Sequence, residues 1–110
     1  MKTMNKVELI GYLGKGPDIR EYSNGIARAT MRLATDSYHQ PRSGAPIKRT
    51  EWHTVILWGK DPIVRFCQFL MKGSHVLVIG QLRHDMYVDK TGQTRYVTEI
   101  KANSLVDLDR

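Results

Sequence analysis

The chain has 110 residues, which is enough for one domain with a hydrophobic core and too few for two. Hydrophobic residues at 41% and charged residues at 25% are ordinary proportions for a globular domain and exclude a largely disordered chain. Lysine and arginine number 17 against 11 aspartates and glutamates, and the net charge of +6 favours a polyanion or an anionic membrane surface as partner.

The basic excess is uneven along the chain. Residues 1–60 contain ten basic and five acidic residues, whereas residues 61–110 contain seven and six. Cys67 is the only cysteine, so it has no partner for a disulfide or a cysteine metal site; we expect a buried thiol and a reducing compartment. Because the sequence shows no membrane-spanning apolar run and no signal-peptide core, we expect a cytoplasmic location.

The first elements are predicted to be strands. Residues 5–13 alternate between apolar and other side chains, which predicts a strand with one apolar face. Residues 14–18 contain two glycines and a proline and predict a turn, and residues 19–22 are a short extended segment. Residues 23–25, Ser-Asn-Gly, tolerate positive φ and predict a hairpin turn.

A longer strand is predicted over residues 26–35. Its small and apolar residues alternate with Arg28 and Arg32, so one face suits the core and the other carries two arginines. Arginines on a strand usually form a solvated surface. Beside aromatic rings they could instead contact phosphates.

Residues 36–49 are predicted to form a long basic loop, since they contain two prolines and a glycine. Arg42, Lys48 and Arg49 outnumber the single acidic residue, Asp36, and the loop also holds Tyr38. Two interpretations remain open: a flexible linker between strands, or a clamp over a nucleic-acid strand.

Both tryptophans lie in residues 50–60. In a strand, Trp52, Thr54, Ile56 and Trp58 share one face, because side chains alternate between faces. Rings of this size are as often core residues as binding residues when considered alone. The neighbouring basic charge favours stacking of unpaired bases on the two rings.

A helix of about three turns is predicted after the tryptophan strand. Asp61 is placed as its N-cap, Pro62 at its first position and Gly73 at its end, where a left-handed conformation is common. Helical spacing of the apolar residues predicts that it covers the sheet, and these residues are Ile63, Phe66, Cys67 and Leu70.

The last part of the chain predicts a long hairpin. Residues 74–88 are extended, with an apolar run over 76–79 and a bulge or bend at Gly80, and residues 95–102 alternate after a turn at 89–93. Tyr87 and Tyr96 flank this turn, either as cross-strand packing partners or as further base-stacking platforms.

This order of elements predicts a single all-β domain with a small α component over residues 1–110. The predicted strands and helices do not alternate. One helix lies between the third and fourth strands, and the fourth and fifth strands form an extended hairpin. This layout matches the five-stranded Greek-key barrel of the OB-fold.

The chain also resembles the bacterial single-stranded DNA-binding protein family from about residue 5 to residue 105. The segments that carry this resemblance are Asn5-Lys6-Val7 through Gly14, Pro17-Asp18-Ile19-Arg20, Asn24-Gly25, Leu33-Ala34-Thr35, Thr50-Glu51-Trp52-His53, Trp58-Gly59-Lys60, Leu70-Met71-Lys72-Gly73-Ser74, Gly80-Gln81-Leu82-Arg83 and Arg95-Tyr96-Val97-Thr98-Glu99. Their shared register over most of the chain is more specific than any one short motif.

The resemblance implies roles for particular residues. Trp52, Trp58 and Tyr87 match the family's base-stacking residues, and Tyr96 lies in a similar segment. One further aromatic position falls on either Tyr38 or His39, because the spacing here is about one residue short.

The resemblance also implies assembly. Family members form homotetramers, and Val7, Leu9 and His53 match positions at or near subunit interfaces. Members usually continue into an acidic tail that recruits replication and repair proteins; this sequence stops at Arg110, as a trimmed chain or a tailless relative would.

The function expected is sequence-independent binding and protection of single-stranded DNA in replication, recombination and repair, near the bacterial nucleoid. Basic residues near the rings are the candidates for phosphate contact: Lys6, Arg28, Arg32, Arg42, Lys48, Arg49, Lys60 and Arg83. The alternative is a tailless primosomal accessory protein that acts through protein partners.

Catalysis is not expected, nor is any cofactor or metal. The four histidines, which are His39, His53, His75 and His84, show no ligand spacing with carboxylates on a helix.

Overall fold

The computed structural model describes residues 2–60 and 65–110. Within these ranges the chain forms six strands: β1 (Val7–Leu13), β2 (Asp18–Glu21), β3 (Ala27–His39), β4 (Ile47–Gly59), β5 (His75–Val88) and β6 (Thr94–Asp107). A short 3₁₀ turn (Ser23–Gly25) joins β2 to β3, and residues 65–67 between β4 and β5 are helical. None of the described helical segments is long and apolar enough to cross a membrane.

Five of the strands close into a barrel, and β2 adds to its edge. The sheet order is β1-β5-β6-β4-β3-β2, and β1 also pairs with β3. All pairings are antiparallel except that of β4 with β6, a parallel contact of two residue pairs, Val55 with Ile100 and Ile56 with Lys101. This closed arrangement confirms the predicted five-stranded OB-fold barrel.

Alternation along the strands places the core inside the barrel. Met31, Leu33 and Val55 are at most 2% exposed, and Val76 and Val78 of β5 are buried beside them. The apolar faces predicted for residues 5–13 and 26–35 are therefore confirmed. Cys67 and Leu70 belong to the same core cluster, and burial raises the pKa of the Cys67 thiol.

The predicted helix is shorter than expected at its C-terminal end. Its start, with Asp61, Pro62 and Ile63, lies outside the described residues. Helical conformation ends at residue 67. The N–H of Gly73 donates to Leu13 O at 2.8 Å rather than to a helix carbonyl, so this segment is tied to β1. Gly73 does adopt a positive φ of 87°, as predicted.

The predicted long basic loop is wrong for half of its length. β3 and β4 continue as a paired arm, with Asp36 opposite Thr50 and His39 opposite Ile47, so that only residues 40–46 connect them. The Thr50 hydroxyl donates to Asp36 Oδ1 at 2.6 Å. Polar cross-strand pairs of this kind hold an arm together without an apolar face.

The final hairpin is longer than predicted, because β6 continues to Asp107 along the barrel. The predicted bulge at Gly80 is confirmed as a register shift between Ile79 and Gly80. A β-carbon at Gly80 would overlap the carbonyl oxygen of Lys101, so a side chain has no room there. The bulge therefore joins the barrel part of β5 to a projecting arm.

Asp89 organises the tip of the β5–β6 arm. Its carboxylate accepts hydrogen bonds from Thr91 Oγ1 at 2.6 Å and from the Thr91 and Gln93 N–H groups, and Arg95 Nε lies 2.9 Å from Oδ2. The Thr91 hydroxyl first, and then Arg95, lower the pKa of Asp89 to about 2. The tip of the arm is thus fixed by local hydrogen bonds to the Asp89 side chain.

Candidate nucleic-acid interface

The outer face of β3 and β4 carries both tryptophans. Arg28 lies opposite Trp58, and Arg32 lies opposite Thr54. Because directly opposed residues share a face, the two arginines and the two rings form one surface, which we call the aromatic face. Val55 and Leu57 point into the core from the same strand.

The rings of the aromatic face are open to solvent. Trp52 is 50% exposed and Trp58 is 43% exposed, whereas the core residues of β4 are nearly inaccessible. Both indoles can therefore accept a stacked base on one side. Core packing alone does not account for these two side chains.

A first cleft, of about 400 Å³, lies between Trp58 and the β5–β6 arm. Its lining combines a ring, three cations and two carboxylates, and the residues are Arg28, Ile56, Trp58, Arg83, Asp85, Glu99 and Lys101. The Arg28 guanidinium carbon lies 5.6 Å from the Trp58 ring centre, within reach of a cation–π interaction. The mixture suits a stacked base with an adjoining phosphate.

A second cleft, of about 280 Å³, lies beside Trp52. Arg32 lines it and donates to Thr54 Oγ1 at 3.0 Å, so its guanidinium is held at the cleft wall. Glu99 lines both clefts, which places them next to one another along the surface. Together they form a groove that runs past both tryptophans.

The paired β3–β4 arm extends the aromatic face. The uninterrupted register places Tyr38, opposite Lys48, on the same face as Trp52 and Trp58, and His39 on the other face. Tyr38 is 71% exposed. Of the two candidates for the additional aromatic position, the geometry therefore favours Tyr38.

Several of the basic residues predicted to contact phosphates form ion pairs with acidic neighbours. Lys48 lies 3.8 Å from Asp36, and Arg49 Nε lies 2.9 Å from Glu51. Lys6 pairs with Glu8 at 3.1 Å. Arg42 and Lys60 are exposed, while Arg28, Arg32 and Arg83 line the two clefts.

The two tyrosines of the β5–β6 arm lie on opposite faces. Tyr87 is opposite Arg95, and Tyr96 is opposite Met86, so Tyr87 and Tyr96 are not cross-strand partners. Tyr87 shares the face of Arg83 and hence of the first cleft. Both rings are exposed, at 54% and 79%.

Lys101, Glu99 and Tyr22 belong to this surface but are not among the site residues predicted from the sequence. Lys101 alternates with the buried Ile100 and lines the first cleft. Tyr22 was assigned no role, although its ring centre lies 5.6 Å from that of Trp58. Its proximity depends on the pairing of β2, β3 and β4 and leaves no local pattern.

Of the three predicted interface residues, Val7 and Leu9 lie on β1, away from the clefts, whereas His53 lines the second cleft. Val7 and Leu9 are partly buried and pack against the core, and half-buried His53 is 2.8 Å from Thr35 Oγ1 through Nε2. The exposed side of β1 instead bears Ile10 and Tyr12, at 58% and 54% exposure.

In residues 2–60 and 65–110, no cluster of three or more histidine, cysteine, aspartate or glutamate side chains is arranged to hold a metal ion.

The model of the single-strand binding protein family matches residues 4–108. A single-stranded DNA-binding protein of Xylella fastidiosa is 40% identical over 102 residues, covering 93% of this chain and 62% of that protein. Another, from Xanthomonas campestris pv. campestris, is 41% identical over 102 residues and covers 93% of this chain and 59% of that protein. The chain thus spans about three fifths of the length of these relatives.

Among solved structures, a Plasmodium falciparum SSB complex with ssDNA is similar, with a TM-score of 0.87 and 30% identity. The alignment covers 99% of this chain and 98% of that one.

Proposed function

Since the chain belongs to the single-strand binding protein family, we propose that it binds single-stranded DNA without sequence preference. Bases would stack on exposed aromatic rings while basic side chains contact phosphates. The observation that carries the proposal is the half-exposed pair Trp52 and Trp58, which share one face with Arg28 and Arg32.

Base stacking is the main source of affinity in this proposal. Each stacked base contributes about 1–3 kcal/mol by alanine substitution, and every base offers a flat face. Trp52 and Trp58 are six residues apart on one strand, about 20 Å at 3.3 Å per residue. This spacing suits several nucleotides along the groove rather than one bound nucleotide. Tyr38 and Tyr87 are the next platforms.

Phosphate contacts would supply the electrostatic part of the binding free energy. Arg28, Arg32, Arg83 and Lys101 line the clefts and are the strongest candidates. Each phosphate neutralised on a single strand contributes about −0.7 to the slope of log K against log salt concentration. Duplex DNA presents phosphates but hides its base faces, so it should bind much less tightly.

Assembly into a homotetramer is part of the proposal. Ile10 and Tyr12 are exposed on β1, and the Tyr12 ring stacks on His75 at 4.5 Å between centroids, while Val106 on β6 is 42% exposed. An exposed apolar face of this kind commonly marks an interface between subunits. Val7, Leu9 and His53 remain proposed interface residues.

The cellular role that follows is protection of single strands during DNA replication, recombination and repair in the cytoplasm, beside replication and repair proteins. No enzymatic reaction is proposed. Relatives described as single-stranded DNA-binding proteins favour this role over the primosomal alternative.

A tryptophan-fluorescence titration tests the proposal. The protein is titrated with a long oligo(dT) and, separately, with a duplex of equal length, at low and moderate salt. We expect strong quenching by the single strand and little by the duplex. Absence of quenching and of binding by oligo(dT) at low salt would contradict the proposed function.

A further inference from the structure

Tyr22 lies where the aromatic face meets β2. Its ring is tilted by 33° to that of Trp58, with 5.6 Å between the centroids. The guanidinium carbon of Arg28 lies 6.0 Å from the Tyr22 ring centre and 5.6 Å from that of Trp58. One cation therefore contacts two rings, and the two rings contact each other.

The backbone at Tyr22 is fixed independently of any ligand. Its N–H donates to Ile26 O at 2.7 Å, across the turn in which Asn24 has a positive φ. The adjoining β2 pairs with β3 through Arg20 and Arg28, among others. The ring is thus held over the strand that bears Arg28.

Arg28 itself has an unused donor. Its Nε is buried, and no described residue accepts a hydrogen bond from it. A buried donor without an acceptor is costly, and Arg28 lines the first cleft, so its guanidinium group is available to an anionic oxygen there. Arg83 and Lys101 line the same cleft and add positive charge.

We infer that Tyr22 is a positioning residue of the nucleic-acid site. It packs against Arg28 and Trp58 and holds the guanidinium where it contacts the phosphate of a nucleotide whose base stacks on Trp58. This inference rests on the proposed function. Its basis is preorganisation: a side chain already held in its bound position loses less freedom on binding.

The test compares Tyr22→Leu, Tyr22→Phe, Arg28→Met and the Tyr22→Leu/Arg28→Met double variant. The affinity for oligo(dT) is measured at several salt concentrations. Tyr22→Leu should weaken binding several-fold and make the salt slope shallower by up to about 0.7, as Arg28→Met does, because one phosphate contact is lost. The two losses should not add in the double variant, and Tyr22→Phe should retain wild-type affinity and slope.

Phe69→Leu is the matched control. Phe69 is an exposed ring that also holds an arginine, with Arg110 at 4.4 Å from its centre, and it lies in a different cleft. This substitution should leave both the affinity and the slope unchanged.

The outcomes separate the two proposals. If wild-type protein fails to bind oligo(dT), the proposed function fails. If wild-type protein binds and Tyr22→Leu changes affinity without changing the slope, or changes neither, only the positioning role fails. Thermal unfolding of each variant establishes folding; Tyr22→Thr replaces Tyr22→Leu if that variant is unfolded, and failure of both to fold overturns the inference.

Discussion

The ring of Trp52 lies against the backbone of Gly14. A β-carbon built at Gly14 would lie 2.6 Å from Cζ3 and 2.9 Å from Cη2 of the indole, closer than non-bonded carbon atoms approach in real structures. The Gly14 N–H donates to Arg32 O at 3.0 Å, so the backbone there is fixed and the ring must move instead. A residue far from Trp52 in sequence thus sets the orientation of one candidate stacking platform.

Gly14→Ala should therefore displace the Trp52 ring and weaken oligo(dT) binding several-fold, with less quenching of the indole at saturation. The fluorescence titration measures both effects. Gly16→Ala is the control, because its β-carbon would meet only ordinary contacts, the nearest at 3.6 Å. Equal behaviour of the two variants would show that the orientation of Trp52 is unimportant for binding.

Trp58→Ala should weaken oligo(dT) binding by about 5- to 150-fold, which corresponds to the loss of about 1–3 kcal/mol of base stacking. Because the side chain is 43% exposed, the thermal midpoint should change little. Trp58→Phe keeps a flat ring and should retain most of the affinity. If Trp58→Ala instead unfolds the protein with unchanged affinity per folded molecule, Trp58 is a packing residue.

Gly80→Ala should lower the free energy of unfolding by about 1–3 kcal/mol, because the new methyl group overlaps the Lys101 carbonyl at the bulge. Urea denaturation measures the loss, with Gly16→Ala as reference. An unchanged midpoint would mean that the bulge relaxes without cost.

The pKa of Asp89 predicts a pH dependence at the tip of the β5–β6 arm. The folded-state pKa is lowered to about 2, below the ordinary value near 3.9. The ionised carboxylate therefore stabilises the turn above about pH 4, and this contribution is lost as the pH falls towards 2.

NMR titration of the Asp89 carboxyl carbon should give a midpoint near 2. Asp89→Asn should increase amide exchange at Thr91 and Gln93 at neutral pH, since it removes the charge that Arg95 contacts. The difference from wild type should shrink as the pH falls towards 2 and vanish only below it, because half of the carboxyl groups are still ionised at the midpoint. A midpoint near 4 would contradict the hydrogen-bonded turn.

Ile10→Glu should reduce the number of subunits in the assembly, because it places a charge on the exposed side of β1 beside Tyr12. Sedimentation of the DNA-free protein measures the mass of the assembly. Ile47→Glu is a matched control: Ile47 is 56% exposed against 58% for Ile10 but lies on the β3–β4 arm. A monomeric wild type, or an unchanged mass for Ile10→Glu, would contradict a β1 interface.

Periodicity predicted most of the barrel. The alternation around Met31 gave the correct inward face of β3, because that strand is apolar on one side only; both faces of β4 carry apolar residues, so alternation around Val55 alone left its inward face open. Residues 36–49 were predicted to form a loop because they contain two prolines and a glycine, but these three residues all lie in the connection at residues 40–46, outside the paired β3–β4 arm. Its pairing depends on contacts such as that of Thr50 with Asp36, which alternation of hydrophobicity cannot indicate.

The candidate site was only partly predictable for a different reason. Trp52 and Trp58 share a strand, so their common face followed from spacing. Tyr22 and Glu99 reach the groove through strand pairing between distant parts of the chain. Such proximity is a property of the register and leaves no signal in the nearby sequence.

The short pairing of β4 with β6 couples DNA binding to the stability of the barrel. Only Val55 with Ile100 and Ile56 with Lys101 pair across it in the described residues, and the two clefts lie over these same positions, Ile56 and Lys101 lining one and Ile100 the other. Local opening of a fold begins where few hydrogen bonds must break. A DNA strand lying across this junction would hold β4 to β6, and separation of the two strands would split the groove and release the DNA. Bound DNA should therefore raise the free energy of opening at this junction, by an amount that grows with the DNA concentration relative to its Kd.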